Sequence, residues 1–217
     1  MNIWRAGLSF VVMFFLVAPG VQAKYRHRHQ GQQQSGKPGA FDYYLLSLSW
    51  SPEFCYEHPG RAECLNGHHG FIVHGLWPEF ANGYPEDCSH APGPSDPLGM
   101  IDIMPDPKLI QHEWETHGTC SGLNADDYFK LIRQAFTSIK IPAQFSNPKQ
   151  TFSMAPSQVK QMFLQANDGL KSENIAVSCG NNYLTAVSVC LTRDLRPKAC
   201  GAVRDCRANT IRIPPVR

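Results

Sequence analysis

The chain reads as a single α+β domain in which a central, mainly antiparallel sheet is packed by helices and stabilised by disulfides. Three patterns predict it. Apolar residues alternate with period two near the start of the folded part and again near its end, as in half-buried strands. Segments with apolar residues at helical spacing lie between them, and this mixture favours an α+β architecture. Eight cysteines, an even number behind a leader-like N-terminus, point to disulfides formed in an oxidising compartment. No C-x-x-C pair is present, so a structural zinc is not expected.

In chain order, Met1 to Ala23 carries one cation (Arg5), an apolar run from Leu8 to Ala18 and the small-residue ending Val21-Gln22-Ala23. This is the pattern of a cleaved secretory leader, and the run falls short of the roughly 20 apolar residues that a spanning helix needs. Removing residues 1–23 would leave about 194 residues, enough for one domain with a sizeable core. The leader takes Arg5 from 20 basic residues, so 19 face 18 acidic ones and the chain is not a strong polycation. Nine histidines still make the charge depend on pH; at about pH 5 most carry protons, which favours an anionic partner in acid. Lys24 to Ala40 is rich in Gln, Gly, Ser and Pro and is expected to be a flexible polar tail.

The folded domain is expected over 41–217. Asp42 to Trp50 places Tyr44, Leu46, Leu48 and Trp50 on one side of a strand. A loop with Cys55 and Cys64 follows, and Phe71-Ile72-Val73 is a short β-prone run that would hold His74 at a strand end. Ala81 to Pro107, rich in Pro and Gly, reads as a long loop of the kind that often carries function. Lys108 to Thr119 fits a helix, and Ala125 to Lys140 a second, capped by Asn124 with Phe129, Ile132, Phe136 and Ile139 at helical spacing. A third helix follows Pro156, with Val159, Met162 and Phe163 inward. Ile175 to Cys179 and Tyr183 to Leu191 read as strands of a hairpin joined at Gly180-Asn181-Asn182.

Two stretches carry chemistry: His74-Gly75-Leu76-Trp77-Pro78 and His112-Glu113-Trp114-Glu115-Thr116-His117. On a continuous helix, His112, Thr116, Glu113 and His117 fall at about 0°, 40°, 100° and 140°, one face, while Trp114 at about 200° points to the core. A neutral imidazole accepts a proton and an imidazolium donates one near neutrality, so two opposed histidines can deprotonate an attacking oxygen while protonating a leaving one. RNA supplies both oxygens around one phosphate. His112-Glu113 also begins like the zinc-protease pattern H-E-x-x-H, but the next histidine comes at i+5. That sets the imidazoles about 140° apart on a helix, so a shared metal is not expected, and no cofactor is.

These two blocks, with the strand Phe41-Asp42-Tyr43-Tyr44-Leu45-Leu46 and the later Cys88, resemble the ribonuclease T2 family of secreted, often acid-active RNA endonucleases. The resemblance implies His117 as general base on the 2′-hydroxyl, His74 as general acid on the departing 5′-oxygen, His112 as phosphate ligand and Glu113 as support for the charged phosphorane. It implies a metal-independent reaction on single-stranded RNA through a 2′,3′-cyclic phosphate, with no cleavage of DNA. Base contacts are expected from Trp77 and Tyr84 by stacking and from Glu79 by hydrogen bonding, with low base specificity. It further implies disulfides Cys55 with Cys64 and Cys88 with Cys120, and a nested set, Cys179 with Cys206 and Cys190 with Cys200. Many members carry lysine where this chain has Thr116, so either Lys108, Arg133 or another cation is expected to substitute, or activity is reduced. The alternative is a weak or inactive RNA-binding or inhibitory protein on the same fold. A monomer, periplasmic or secreted and free of the membrane after leader removal, is expected; the absence of any Asn-x-Ser/Thr acceptor leans to a bacterial source.

Overall fold

The computed structural model describes residues 33–65, 67 and 69–216. The expected leader, residues 1–23, and residues 24–32 of the expected tail lie outside the described residues. The sheet is built around two apolar strands, β2 (Tyr43–Trp50) and β7 (Tyr183–Leu191), which pair antiparallel with Tyr44 opposite Leu191 and Ser49 opposite Ala186. β3 (Phe71–Glu79) pairs with β2, and β6 (Ile175–Gly180) with β7, both antiparallel. β8 (Ile211–Ile213) meets β7 in parallel at Arg212 and Tyr183, and β5 (Phe152–Met154) closes the six-stranded sheet against β8. The β6–β7 turn holds Asn181 and Asn182 at φ 49° and 62°. A two-residue hairpin turn of this hand needs positive φ at both central positions, which asparagine tolerates.

Alternation along β2 sorts its side chains onto two buried faces. Tyr44, Leu46, Leu48 and Trp50 join the main core with Val73, Leu76, Val187, Val189 and Phe163. Tyr43 and Leu45 turn the other way, into a smaller cluster with Trp77, Cys190 and Cys200. The main core lies under α3 (Pro107–Thr116), α4 (Ala125–Thr137) and α5 (Pro156–Ala166). Each presents an apolar stripe inward: Ile110 and Trp114; Tyr128, Phe129, Ile132 and Ala135; Val159 and Phe163. Among the described residues no helix is long and apolar enough to cross a membrane.

The structure corrects several local expectations. The stretch expected as a loop around Cys55 and Cys64 forms two short helices, α1 (Ser51–Glu57) and α2 (Ala62–Leu65), tied by the Cys55–Cys64 disulfide and by a 2.7 Å hydrogen bond from Ser51 Oγ to Glu63. Two turns or fewer leave too little periodicity to read. α4 stops at Thr137 rather than Lys140. The expected flexible tail is not free over its last part. Gln33–Ser35 form β1, parallel to β4 (Tyr84–Glu86) inside the long loop. Backbone pairing of this kind needs no apolar side chains, so composition does not reveal it. Gly39 N donates to Cys120 O at 2.9 Å, docking the segment just beyond the end of α3.

Disulfides join Cys88 to Cys120, Cys179 to Cys206 and Cys190 to Cys200. They close loops around the sheet. The Gly39 contact depends on a second glycine: Gly122 has φ 80°, and a Cβ there would stand 2.8 Å from Gly39 Cα and 2.9 Å from its nitrogen. Since both the conformation and the space exclude a side chain, Gly122→Ala should cost more than about 1 kcal/mol. A lowered melting temperature is expected, and an unchanged one would mean that the 33–40 segment does not dock there in solution.

Candidate active site

The site is assembled from two irregularities, one in a strand and one at a helix end. Between β2 and β3 the pairing runs Ser47 with Gly75 and then Leu48 with Val73, which leaves His74 as the extra residue of a β-bulge. A bulge re-aims side chains. Val73 and Leu76 both enter the main core although they are three residues apart, while His74 and Gly75 between them face the site. His74 is thus mid-strand and not at the strand end expected from Phe71-Ile72-Val73. Its Nδ1 lies 3.0 Å from Ser49 Oγ on the neighbouring strand, and its Nε2 lies 3.6 Å from Glu113 Oε1.

α3 starts where Asp106 caps it, accepting from Lys108 N at 2.9 Å, with Pro107 in its first turn. It ends at Thr116, three residues before the expected Thr119, with His117 as the C-cap at φ −112°. The reason is packing at Gly118, where a Cβ would come within 2.5 Å of the Trp114 ring and 2.8 Å of Tyr128. These rings close against bare backbone, and the chain tightens there into a 3-10 turn, Gly118–Cys120. His117 is therefore swung off the helical path. The donor atoms of His112, Glu113 and His117 all lie within 4.8 Å of one another, so the wide separation expected from a continuous helix does not hold. The three could gather round a cation.

Glu113 is fully buried and Trp77 Nε1 donates to its Oε2 at 2.6 Å. A Cβ on Gly75 would stand 2.0 Å from that same oxygen and 2.4 Å from Trp77 Nε1, so only glycine leaves room for the pair. Burial pushes the Glu113 carboxyl from 4.5 up to about 8, against the lowering effect of the Trp77 hydrogen bond. At acid and neutral pH it is a neutral acid, a poor metal ligand but a good hydrogen-bond donor through Oε1. Trp77 also touches both outer histidines, with ring centroids 5.5 Å from His74 and 5.3 Å from His117. His112 is exposed, 6.3 Å from the His117 ring, with Nδ1 3.3 Å from Thr116 Oγ1.

The structure thus brings together His74, His112, Glu113, His117 and Trp77. Trp77 is only 5% exposed and its N–H is engaged with Glu113. Glu79 sits one alternation further along β3, buried, its carboxyl raised to about 8 by burial and by Glu86. Tyr84 stands apart on β4, half-buried. Neither expected cation replaces the lysine missing at Thr116. Arg133 is held bidentately by Asp102 at 2.7 Å, and Lys108 lies about 12 Å of helix from Thr116. Ser49 and Gly75 are site residues that sequence reasoning passed over; the one looks like ordinary strand polarity, and the other was visible only as part of the His-Gly-Leu-Trp-Pro block.

Fold and site together define a single-domain, disulfide-bonded α+β protein with paired histidines about a buried carboxyl. Residues 41–200 match the model of the Ribonuclease T2 family, and the chain belongs to that family. A curated "Ribonuclease" of Aeromonas hydrophila is 42% identical over 115 residues, 52% of this chain and 54% of that protein. A "Probable ribonuclease" of Haemophilus influenzae is 33% identical over 176 residues, 69% of this chain and 63% of that one. The chain therefore spans between half and two thirds of the length of these two relatives. An RNase-related protein from Calystegia sepium has the same fold, with TM-score 0.67 at 20% identity over 82% of this chain and 98% of that chain. So does RNase NT in complex with 5′-AMP, with TM-score 0.60 at 19% identity, covering 81% and 98%.

The raised Glu113 carboxyl has a consequence for stability. Between pH 4.5 and about 8 the folded chain holds a proton that the unfolded chain has released, so this group makes folding less favourable as pH rises through that window. Glu79, also raised to about 8, adds to the same slope. Glu113→Gln should gain melting temperature relative to the parent as pH goes from about 5 to about 8. A difference that stays constant over that range would mean that Glu113 is not held neutral.

Proposed function

We propose that this chain is an endoribonuclease that cuts single-stranded RNA through a 2′,3′-cyclic phosphate without a metal, ending in 3′-phosphates. The observation that carries the reading is the gathering of His74 and His117 about one indole, each against Trp77 and near Glu113. In the first step His117 takes the proton of the 2′-hydroxyl, the 2′-oxygen attacks phosphorus, and the P–O5′ bond breaks as His74 gives its proton to the 5′-oxygen. Protonated His74 donates Nδ1–H to Ser49 Oγ, which leaves Nε2–H aimed at the leaving oxygen. In the second step the roles reverse: His74 takes a proton from water, water attacks the cyclic phosphate, and His117 returns a proton to the 2′-oxygen.

A neutral Glu113 donates Oε1–H to a non-bridging oxygen as the phosphorane gains charge, where an ionised carboxylate would repel it. Exposed His112 binds the scissile phosphate, and base contacts fall to half-buried Tyr84 with low specificity. Four disulfides fit a periplasmic or secreted setting.

A strand with one 2′-deoxy nucleotide should resist cutting on that nucleotide's 3′ side, DNA should be untouched, and cyclic phosphate ends should accumulate early in digestion. Cleavage at the deoxy position, or activity lost to chelator and restored by a divalent ion, would sink the mechanism. His74→Ala or His117→Ala should lower kcat about 10² to 10⁴-fold in a folded protein, and the parent rate should be bell-shaped in pH. That neither Arg133 nor Lys108 reaches Thr116 favours a second reading, an RNA-binding protein of weak activity. Since one stabilising donor is worth roughly 10² to 10³ in rate, Thr116→Lys should raise kcat severalfold or more if the site is otherwise complete.

A further inference from the structure

Resting on the ribonuclease reading above, we propose that residues 33–40 are a positioning strap for substrate binding: β1 holds β4, and with it Tyr84, where the base of the nucleotide 5′ of the cut is contacted. The segment precedes residues 41–200, the part matched to the family, so family membership does not account for it. The 2′-hydroxyl that gives its proton to His117 belongs to the nucleotide 5′ of the cut, which puts that base on the His117 side of the site. β4 is on the same side. Trp77 touches His117, Glu79 lies two residues further along β3, and the bond from Phe80 N to Gly83 O, 2.9 Å, then turns the chain back into β4. Glu86 of β4 lies near enough to Glu79 to add to the push that burial gives its carboxyl. Beyond β4 the chain runs into the end of α3: Asp87 N donates to Thr116 O at 2.9 Å, Cys88 N to Thr119 Oγ1 at 3.2 Å, and Cys88 is bonded to Cys120.

Among the described residues the only strand partner of β4 is β1, in a two-stranded parallel sheet outside the main one. Gln34 stands opposite Pro85, which has no N–H. In a parallel ladder centred on that pair the two bonds must therefore run from Gln34 N to Tyr84 O and from Glu86 N to Gln34 O. Two strands of three residues are weak by themselves, and the strap is fastened further along. A Cβ on Gly36 would collide with Pro85 and stand 2.6 Å from Cys88 Sγ, so bare backbone lies against β4 and the disulfide. Gly39 N reaches Cys120 O, and Asp42 N donates to Glu79 O at 2.8 Å. Strap, β4 and the turn after His117 are thus joined to one another in pairs. A tyrosine on a segment ordered beforehand loses less freedom when a base stacks on it. Without β1 that cost falls on binding, while His74 and His117, carried by β3 and the end of α3, keep their places.

The test undoes the pairing in two ways, Gln34→Pro, which removes the donor to Tyr84 O, and Gly36→Val, with thermal melting to confirm the fold. Gln34→Ala keeps the backbone N–H and should behave as the parent. In the proline and valine variants the Glu86 amide should exchange with solvent faster. On a dinucleoside monophosphate KM should rise about tenfold, the scale of ordering one side chain on binding, with kcat little changed. A substrate with an abasic ribose 5′ of the cut keeps its 2′-hydroxyl but offers Tyr84 no base, so on it the variants and the parent should be alike. Tyr84→Ala should raise KM on the ordinary substrate, and adding Gln34→Pro to it should change little more. Binding of a 2′-O-methylated RNA, which cannot be cut, should weaken by the same factor as KM rises. Unchanged exchange at Glu86, an unchanged KM in both variants, or an equal loss on the abasic substrate would overturn the proposal. A parent protein that cuts no RNA would overturn the catalytic reading alone, since the methylated strand still reads the strap.

Discussion

The hydrogen bond from Trp77 to Glu113 is the interaction on which the site depends. It joins β3 to α3 at the point where Gly75 leaves no side chain, so strand and helix approach as closely as a carboxyl and an indole allow. A fully buried carboxyl with no partner would cost several kcal/mol if charged. Here the cost is met by two adjustments at once, an N–H donor on Oε2 and a proton on Oε1, and the second of these places a neutral acid beside His74. The same indole packs against both His74 and His117, so a single side chain holds the carboxyl and contacts both imidazoles. Replacing Trp77 by another aromatic would keep the packing and remove the donor, which is why its role cannot be reduced to hydrophobic burial.

The convergence of these side chains then comes from departures from regular structure. An unbroken β3 would alternate His74 away from Gly75, and a continuous α3 would carry His117 round the helix, away from His112. The bulge corrects the first and the helix end at Gly118 corrects the second. Regular elements supply rigidity and their interruptions supply convergence, with rings of Trp114 and Tyr128 packed at the break so that it does not cost core.

Legibility followed the same division. The helical stripes of α3, α4 and α5, the core face of β2, and the Asn-Asn hairpin were readable because each repeats a pattern over several residues or uses a turn with one chemical solution. α1 and α2 were too short to show a period, and β1 pairs through backbone alone. The bulge at His74 could not be read because it is a relation between two strands: it exists only in the register of Ser47 and Leu48 against Gly75 and Val73. The contact of Trp77 with Glu113 is not legible, since a tryptophan whose N–H holds a carboxyl looks like any other until the partner's place is known. The place of His117 could not be had from helical spacing for the same reason, because Gly118 takes its meaning from rings that pack on it.

The disulfides matter through where they sit more than through how much chain they close. Their loops span 9, 32, 27 and 10 residues. In the chain-entropy account, stabilisation grows only with the logarithm of loop length, so the longest and shortest differ by about 1 kcal/mol. Location separates them far more. Cys88–Cys120 fixes the turn that follows His117, Cys55–Cys64 joins the two short helices after Ser49's strand, Cys190–Cys200 sits in the Tyr43 and Trp77 cluster, and Cys179–Cys206 ties β6 to the chain packed on the main core. Two of the bonds thus anchor loops onto sheet strands, at Cys179 of β6 and Cys190 of β7, while the other two restrain connections outside the sheet.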